Sequence, residues 1–270
     1  MLPVLLAAGA LGGFIAGLVG VGGGVIFGPV LFFAYQAAGV EDPVLTPLTL
    51  GSSLLCTFAA ASSGAVAQLK AGAVDKRVAL TAGGFATIAV VLVGRFVATQ
   101  PWYDKRAFQI TLSVLLLAVV VRMIRGRNQP NAIEGVVPRQ IILVLAATGG
   151  AAGTVAALAG GGGGVVLVPL FNGLIRLPMR VASGTSLASI VLITIAGVIT
   201  YAVLGQGAPV PDGALGYVGW RSAAALALPA VVTARLGVAT SHRINVRAVR
   251  LSFAAFAFVV AVRLIWNVLS

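Results

Sequence analysis

A run of glycines closing on a proline is written twice into this chain, 140 residues apart, and it restricts the fold more tightly than any other feature. Residues 18–29 (LVGVGGGVIFGP) align without a gap on residues 158–169 (LAGGGGGVVLVP). Gly20, Gly22, Gly23, Gly24, Val25 and Pro29 are thereby matched to Gly160, Gly162, Gly163, Gly164, Val165 and Pro169. Glycine and proline both interrupt helices, yet both copies lie in strongly apolar sequence. In lipid, irregular backbone is tolerated only where it is buried in protein or lines a cavity. The duplicated break therefore marks a duplicated unit and a candidate site.

Composition identifies the solvent. The chain is 59% hydrophobic and 9% charged, with a mean hydropathy of +1.07. A soluble domain so composed would hold a very large apolar surface against water, so an all-α, polytopic membrane protein is expected. β-Barrel alternation is absent. A net charge of +12 in a soluble protein would suggest nucleic acid. Here the basic residues fall in short connections between apolar runs, where they set orientation, and the expected partners are the bilayer and a small solute, with no nucleic acid. The lone Cys56 excludes an internal disulfide or a multi-cysteine metal site, and no metal or other cofactor is expected. The opening residues MLPVLLAA lack the basic region of a cleavable signal peptide, so they are expected to be retained in the first helix.

Apolar runs fall near 2–20, 25–39, 46–69, 78–98 and 106–125, then 138–159, 165–177, 182–204, 219–240 and 247–268. That is five segments per half: a first repeat over 1–125, a polar cytoplasmic linker over 126–137 and a second repeat over 138–270. Other landmarks pair in order. Leu50-Gly-Ser-Ser-Leu54 matches Ser183-Gly-Thr-Ser-Leu187, Gly64 matches Gly197, Gly72-Ala-Val-Asp-Lys-Arg77 matches Gly216-Tyr-Val-Gly-Trp-Arg221, and Val121-Arg-Met-Ile124 matches Val262-Arg-Leu-Ile265. An odd number of crossings per half makes the second copy enter from the opposite face, so the repeats are expected to be inverted. Alternate connections then leave only Arg95, Lys105, Arg106, Arg221 and Arg263 of the 18 basic residues on one face, together with Glu41, Asp42, Asp104 and Asp212. The basic face is expected to be cytoplasmic, with both termini outside. Segments 25–39 and 165–177 are too short to span a core of roughly 30 Å and read as half-helices. Six full crossings with two re-entrant hairpins, or ten crossings, both satisfy the pattern.

Glycines ahead of a short helix leave several backbone N–H groups free at the positive end of its dipole, with no side chain to keep a ligand away. Such a terminus suits an oxyanion. The candidate substrate-binding residues are Gly22, Gly23, Gly24 and Val25 with Gly162, Gly163, Gly164 and Val165, where Val25 and Val165 are expected to start the half-helices. Ser52, Ser53, Thr185 and Ser186 join them as hydroxyl donors. Small residues also let membrane helices approach closely, and helical hydroxyls often bond to their own backbone, so packing is the competing role for both sets. Arg95 and Arg235 sit toward the ends of equivalent helices, where snorkelling is the commoner role and attraction of an anion the rarer one. His242 falls in a basic connection and is read as solvated. Trp102, Tyr103, Tyr217, Trp220 and Trp266 read as interfacial belt residues.

Together the paired GxGGGxxxxP elements, the Gly184-Thr-Ser-Leu-Ala188 motif and the GxVxxR segments ending at Arg77 and Arg221 resemble the sulfite exporter TauE/SafE family, over about residues 5–265. The resemblance implies an inner-membrane permease for sulfite, sulfonates or related organic anions. The two hydroxyl clusters differ, reading Gly51-Ser-Ser-Leu-Leu-Cys56 in the first copy and Gly184-Thr-Ser-Leu-Ala-Ser189 in the second. All six carboxylates lie in connections or at helix ends, which leaves no midplane proton relay and favours export driven by membrane potential. A small-anion channel and a non-transporting assembly subunit are the alternatives. A homo-oligomer is compatible with the sequence. An enzyme is not expected, because no HExxH, paired midplane acids or Ser/His arrangement is present.

Overall fold

The computed structural model describes residues 2–125, 138–241, 258–266 and 268. The expected linker 126–137, His242 and the start of the last apolar segment lie outside these residues. The described residues form helices and connections without a strand, apart from one isolated bridge between Leu215 and Val218. The first half contributes α1 (Leu2–Val19), α2 (Gly24–Ala37), α3 (Leu45–Lys70), α4 (Lys76–Val93) and α5 (Lys105–Arg125). The second contributes α6 (Pro138–Ala159), α7 (Gly164–Gly173), α8 (Met179–Leu204) and α9 (Trp220–Thr240), and residues 258–266 are helical. α4 runs on through a π-helical turn, Gly94–Ala98.

Six of these helices are long and apolar enough to cross a membrane: α1, α3, α4 with its π turn, α6 from Ile141, α8 and α9. α2 and α7 have 14 and 10 residues, or roughly 21 and 15 Å at 1.5 Å per residue. Both fall short of a full crossing. Buried side chains concentrate on α3, where 67% of the apolar window is buried against 28% for α4. α3 is thus central, and outer helices turn Leu80, Leu143, Leu228 and Val232 outward, as lipid contact demands.

The packing repeats itself with the halves exchanged. α1 lies on α9 and α6 lies on α4; α3 lies on α9 and α8 lies on α4; α3 and α8 face each other at the centre. Small residues set these approaches. Side chains added at Gly9, Gly13 and Gly17 of α1 would run into Leu226, Ala230 and Ala234 of α9, and at Gly149 and Gly153 of α6 into Ala82 and Ala86 of α4. Centrally, Gly64 packs under Leu187 and Gly197 under Leu54, which are the same two positions read from either half.

Candidate functional site

Each glycine run folds into the same loop. Gly20, Gly22 and Gly23 have φ of 81°, 86° and 75°, and Gly160, Gly162 and Gly163 have 67°, 68° and 76°. Three left-handed residues in four are reachable at low cost only by glycine. Gly23 and Gly163 occupy the N-cap positions, so α2 and α7 begin at Gly24 and Gly164, one residue before the expected valines. Pro29 and Pro169 lie inside these short helices, and each removes one intrahelical donor.

The two loops touch. A Cβ at Gly24 would stand 2.5 Å from Gly161 Cα and 2.6 Å from the Gly160 carbonyl oxygen, and one at Gly164 would stand 2.6 Å from the Val21 carbonyl oxygen. Residues 20–24 and 160–164 are all buried. The N–H groups of residues 21–25 and 161–165 find no acceptor among the described residues, whereas the Gly23 carbonyl accepts from Ile26 and Phe27, and the Gly163 carbonyl from Val166 and Leu167. Buried N–H groups without partners are rare because each forfeits a hydrogen bond to water. Here two clusters of them meet at helix N-termini, where the dipoles favour negative charge.

The four expected hydroxyls stand about two turns into α3 and α8, beside the loops. Ser53 Oγ donates across the halves to the Gly160 carbonyl at 3.0 Å, and Ser186 Oγ donates to the Gly20 carbonyl at 2.9 Å. Ser52 Oγ accepts from the Gly219 N–H at 2.8 Å, and Thr185 Oγ1 accepts from the Asp75 N–H at 2.9 Å. Gly219 and Asp75 are the N-cap residues of α9 and α4. Ser52 also accepts from Tyr35 Oη at 2.9 Å and donates to the Leu48 carbonyl at 2.6 Å. The hydrogens of Ser52, Ser53 and Ser186 are thus given to carbonyls within the protein, and these hydroxyls pin one half to the other. Three residues beyond each hydroxyl pair the pattern continues, with Cys56 Sγ against the Ala223 carbonyl and Ser189 Oγ against the Ala79 carbonyl.

A further hydroxyl escaped the motif reading. Thr57 is fully buried, and its Oγ1 has no partner. It faces the first loop, 2.7 Å from where a Cβ of Gly24 would lie, and its Cγ2 reaches toward Gly22 and Gly162. Carrying the match of α3 to α8 past the motif would have exposed it, because Thr57 then falls opposite Ile190. The arginines stay at the surface: Arg95 is exposed with its guanidinium 5.8 Å from the Phe96 ring, and exposed Arg235 donates through Nε to Ser63. Trp102, Trp220 and Trp266 are exposed, as belt residues require, but Tyr103 is buried and donates to the Leu158 carbonyl at 2.8 Å. Tyr201 donates to the neighbouring Ala157 carbonyl at 2.7 Å. Both tyrosines close the end of α6 just ahead of the second loop. No group of three or more His, Cys, Asp or Glu side chains is placed to hold a metal ion among the described residues.

Residues 5–264 match the model of the sulfite exporter TauE/SafE family. The chain is 24% identical over 261 residues to a probable membrane transporter protein of Haemophilus influenzae, covering 96% of both chains. It is 23% identical over 252 residues to a probable membrane transporter protein of Methanocaldococcus jannaschii, covering 93% of this chain and 90% of that one. No solved structure matches. The chain belongs to the sulfite exporter TauE/SafE family, and the family match and six span-length helices make it a multi-pass membrane transporter.

Proposed function

We propose that this transporter exports small anions, sulfite, sulfonates or related organosulfur anions, by alternating access of two inverted repeats around the paired glycine loops. One observation carries the reading: two buried helix N-termini touch, and the N–H groups of residues 21–25 and 161–165 have no acceptor among the described residues. Fixed backbone donors hold an oxyanion without the desolvation cost of a buried cation. Five segments per half and packing that survives exchange of the halves support the inverted arrangement, and two short helices beside the loops support half-helices reaching the midplane. The charge asymmetry supports an inner-membrane protein with its termini outside.

The described carboxylates, Glu41, Asp42, Asp75, Asp104 and Asp212, all lie in connections. Asp75 and Asp104 cap helices, and Asp42 accepts from the Lys105 N–H. Export of an anion from a cell that is negative inside gains roughly 2.3 kcal/mol per charge per 100 mV, which removes the need for a coupled proton. Sulfite efflux from proteoliposomes should follow an imposed potential and ignore a pH gradient. A strict need for a proton gradient at clamped potential would contradict the uniport mechanism.

A further inference from the structure

Several contacts of the glycine loops with α3 and α8 recur with the halves exchanged, but the chemistry of two counterparts differs. Thr57 Oγ1 lies against Gly24, where its equivalent Ile190 brings only Cδ1 to Gly164. Ser183 Oγ lies against Gly20, and the equivalent residue beside Gly160 is Leu50. Thr57 and Ser183 are both more than nine-tenths buried, and neither hydroxyl has a partner. Helical hydroxyls in apolar surroundings usually bond back to the carbonyl four residues earlier. Thr49 and Thr194 do so here, at 2.8 and 2.7 Å. Thr57 has the same option and does not take it. Its hydroxyl is instead turned to the N-terminus of α2.

Resting on the transport reading above, we propose that the site is one-sided: Thr57 donates to an oxygen of an anion held at the first loop, while methyl groups of Ile190 and Thr194 close its other side. Thr57 Cγ2, Ile190 Cγ2 and Thr194 Cγ2 already converge at Gly162, at 2.8, 2.8 and 3.3 Å from where its Cβ would lie. An anion suited to such a site carries its oxygens on one face and none on the other. Sulfite does so with a lone pair at its apex, and an alkylsulfonate does so with a carbon. Sulfate does not, because a fourth oxygen would meet methyl groups and lose its hydrogen bonds to water. Thr57 is thus the residue that sets polarity, and Ile190 the one that excludes the symmetric dianion.

Titration of the purified full-length chain with sulfite, methanesulfonate and sulfate tests this. The unaltered protein should bind the first two at least about tenfold more tightly than sulfate. Thr57→Val keeps the shape and removes the hydroxyl, so sulfite affinity should fall by about tenfold, while Thr57→Ser should stay within about threefold. Ligand-free Tm of Thr57→Val should be unchanged or higher, because no bond within the protein is lost. Ile190→Thr should narrow the gap between sulfite and sulfate. The one-sided site is overturned by wild-type sulfite affinity in Thr57→Val, by a lowered ligand-free Tm or failure to fold in that variant, by an unchanged gap in Ile190→Thr, or by tighter binding of sulfate than of sulfite in the unaltered chain. Should Gly22→Ala lose sulfite while Thr57→Val keeps it, the loops stand as the anion site and only the role of Thr57 falls. An unaltered chain that answers to none of the three anions removes the transport reading itself.

Discussion

The two glycine loops share residues, dihedral angles and a cross-half serine pin, but they stand in different company. The first has two unpartnered hydroxyls beside it, from Thr57 and Ser183; the second has Ile190 and Leu50 at those points. Behind the second, Tyr103 and Tyr201 seal the end of α6 through the Leu158 and Ala157 carbonyls. Behind the first, no described side chain bonds to the equivalent carbonyls at the end of α1. What the halves hold in common is what joins them, and that part cannot drift without breaking both copies. At Thr57 and Ser183 the difference lies where nothing in the frame is bonded, and Thr57 is free to serve a ligand.

The largest effects should come from the shared helix contacts. Gly13→Leu would drive a side chain into Ala230 of α9, and Gly153→Leu into Ala86 of α4. Each is expected to cost about 3 kcal/mol or more, read as loss of monodisperse protein on size exclusion. A silent variant in either pair would break the equivalence of the two outer contacts. Next come the serine pins. Ser53→Ala leaves the Gly160 carbonyl without its donor and Ser186→Ala does the same to Gly20, at about 1–2 kcal/mol each. Thermal unfolding should give nearly equal losses, and a twofold inequality would show that one loop is held by something else.

The smallest predicted effect is a difference. Ser52 takes both the Tyr35 hydroxyl and the Gly219 N–H, and α9 has no side-chain cap of its own. Thr185 takes only the Asp75 N–H, and the Asp75 carboxylate also caps α4 through the Arg77 and Val78 N–H groups. Ser52→Ala should therefore lower stability more than Thr185→Ala, by about 1 kcal/mol. Equal losses would mean that the cap on α4 adds nothing.

Much of the fold is legible because lipid imposes a simple rule: apolar runs become helices, and polar or Gly/Pro breaks end them. The segments read from the sequence lie within a few residues of α1 to α9, and the glycine run announced two loops whose repeated left-handed angles glycine adopts at low cost. The loops' contact with each other was not legible, because it depends on how α3 and α8 bring the halves together. Hydroxyls next to the glycines read as anion donors; the frame takes the hydrogens of Ser52, Ser53 and Ser186 for carbonyls, while Thr185 accepts the Asp75 N–H. A sequence lists donors and cannot say which acceptor reaches them first. Thr57 carries no motif around it, and Tyr103 beside Trp102 matches a belt residue until the carbonyls at the end of α6 claim it.

The central claim is that the meeting of the two loops binds the anion. Selenite has the shape of sulfite and scatters anomalously, so a crystal of the full chain grown with selenite locates the site directly. The account predicts one anomalous peak between residues 22–25 and 162–165, on the Thr57 side, at concentrations that raise the Tm of the protein. A peak elsewhere, or none between the loops while selenite still protects against heat, would contradict it.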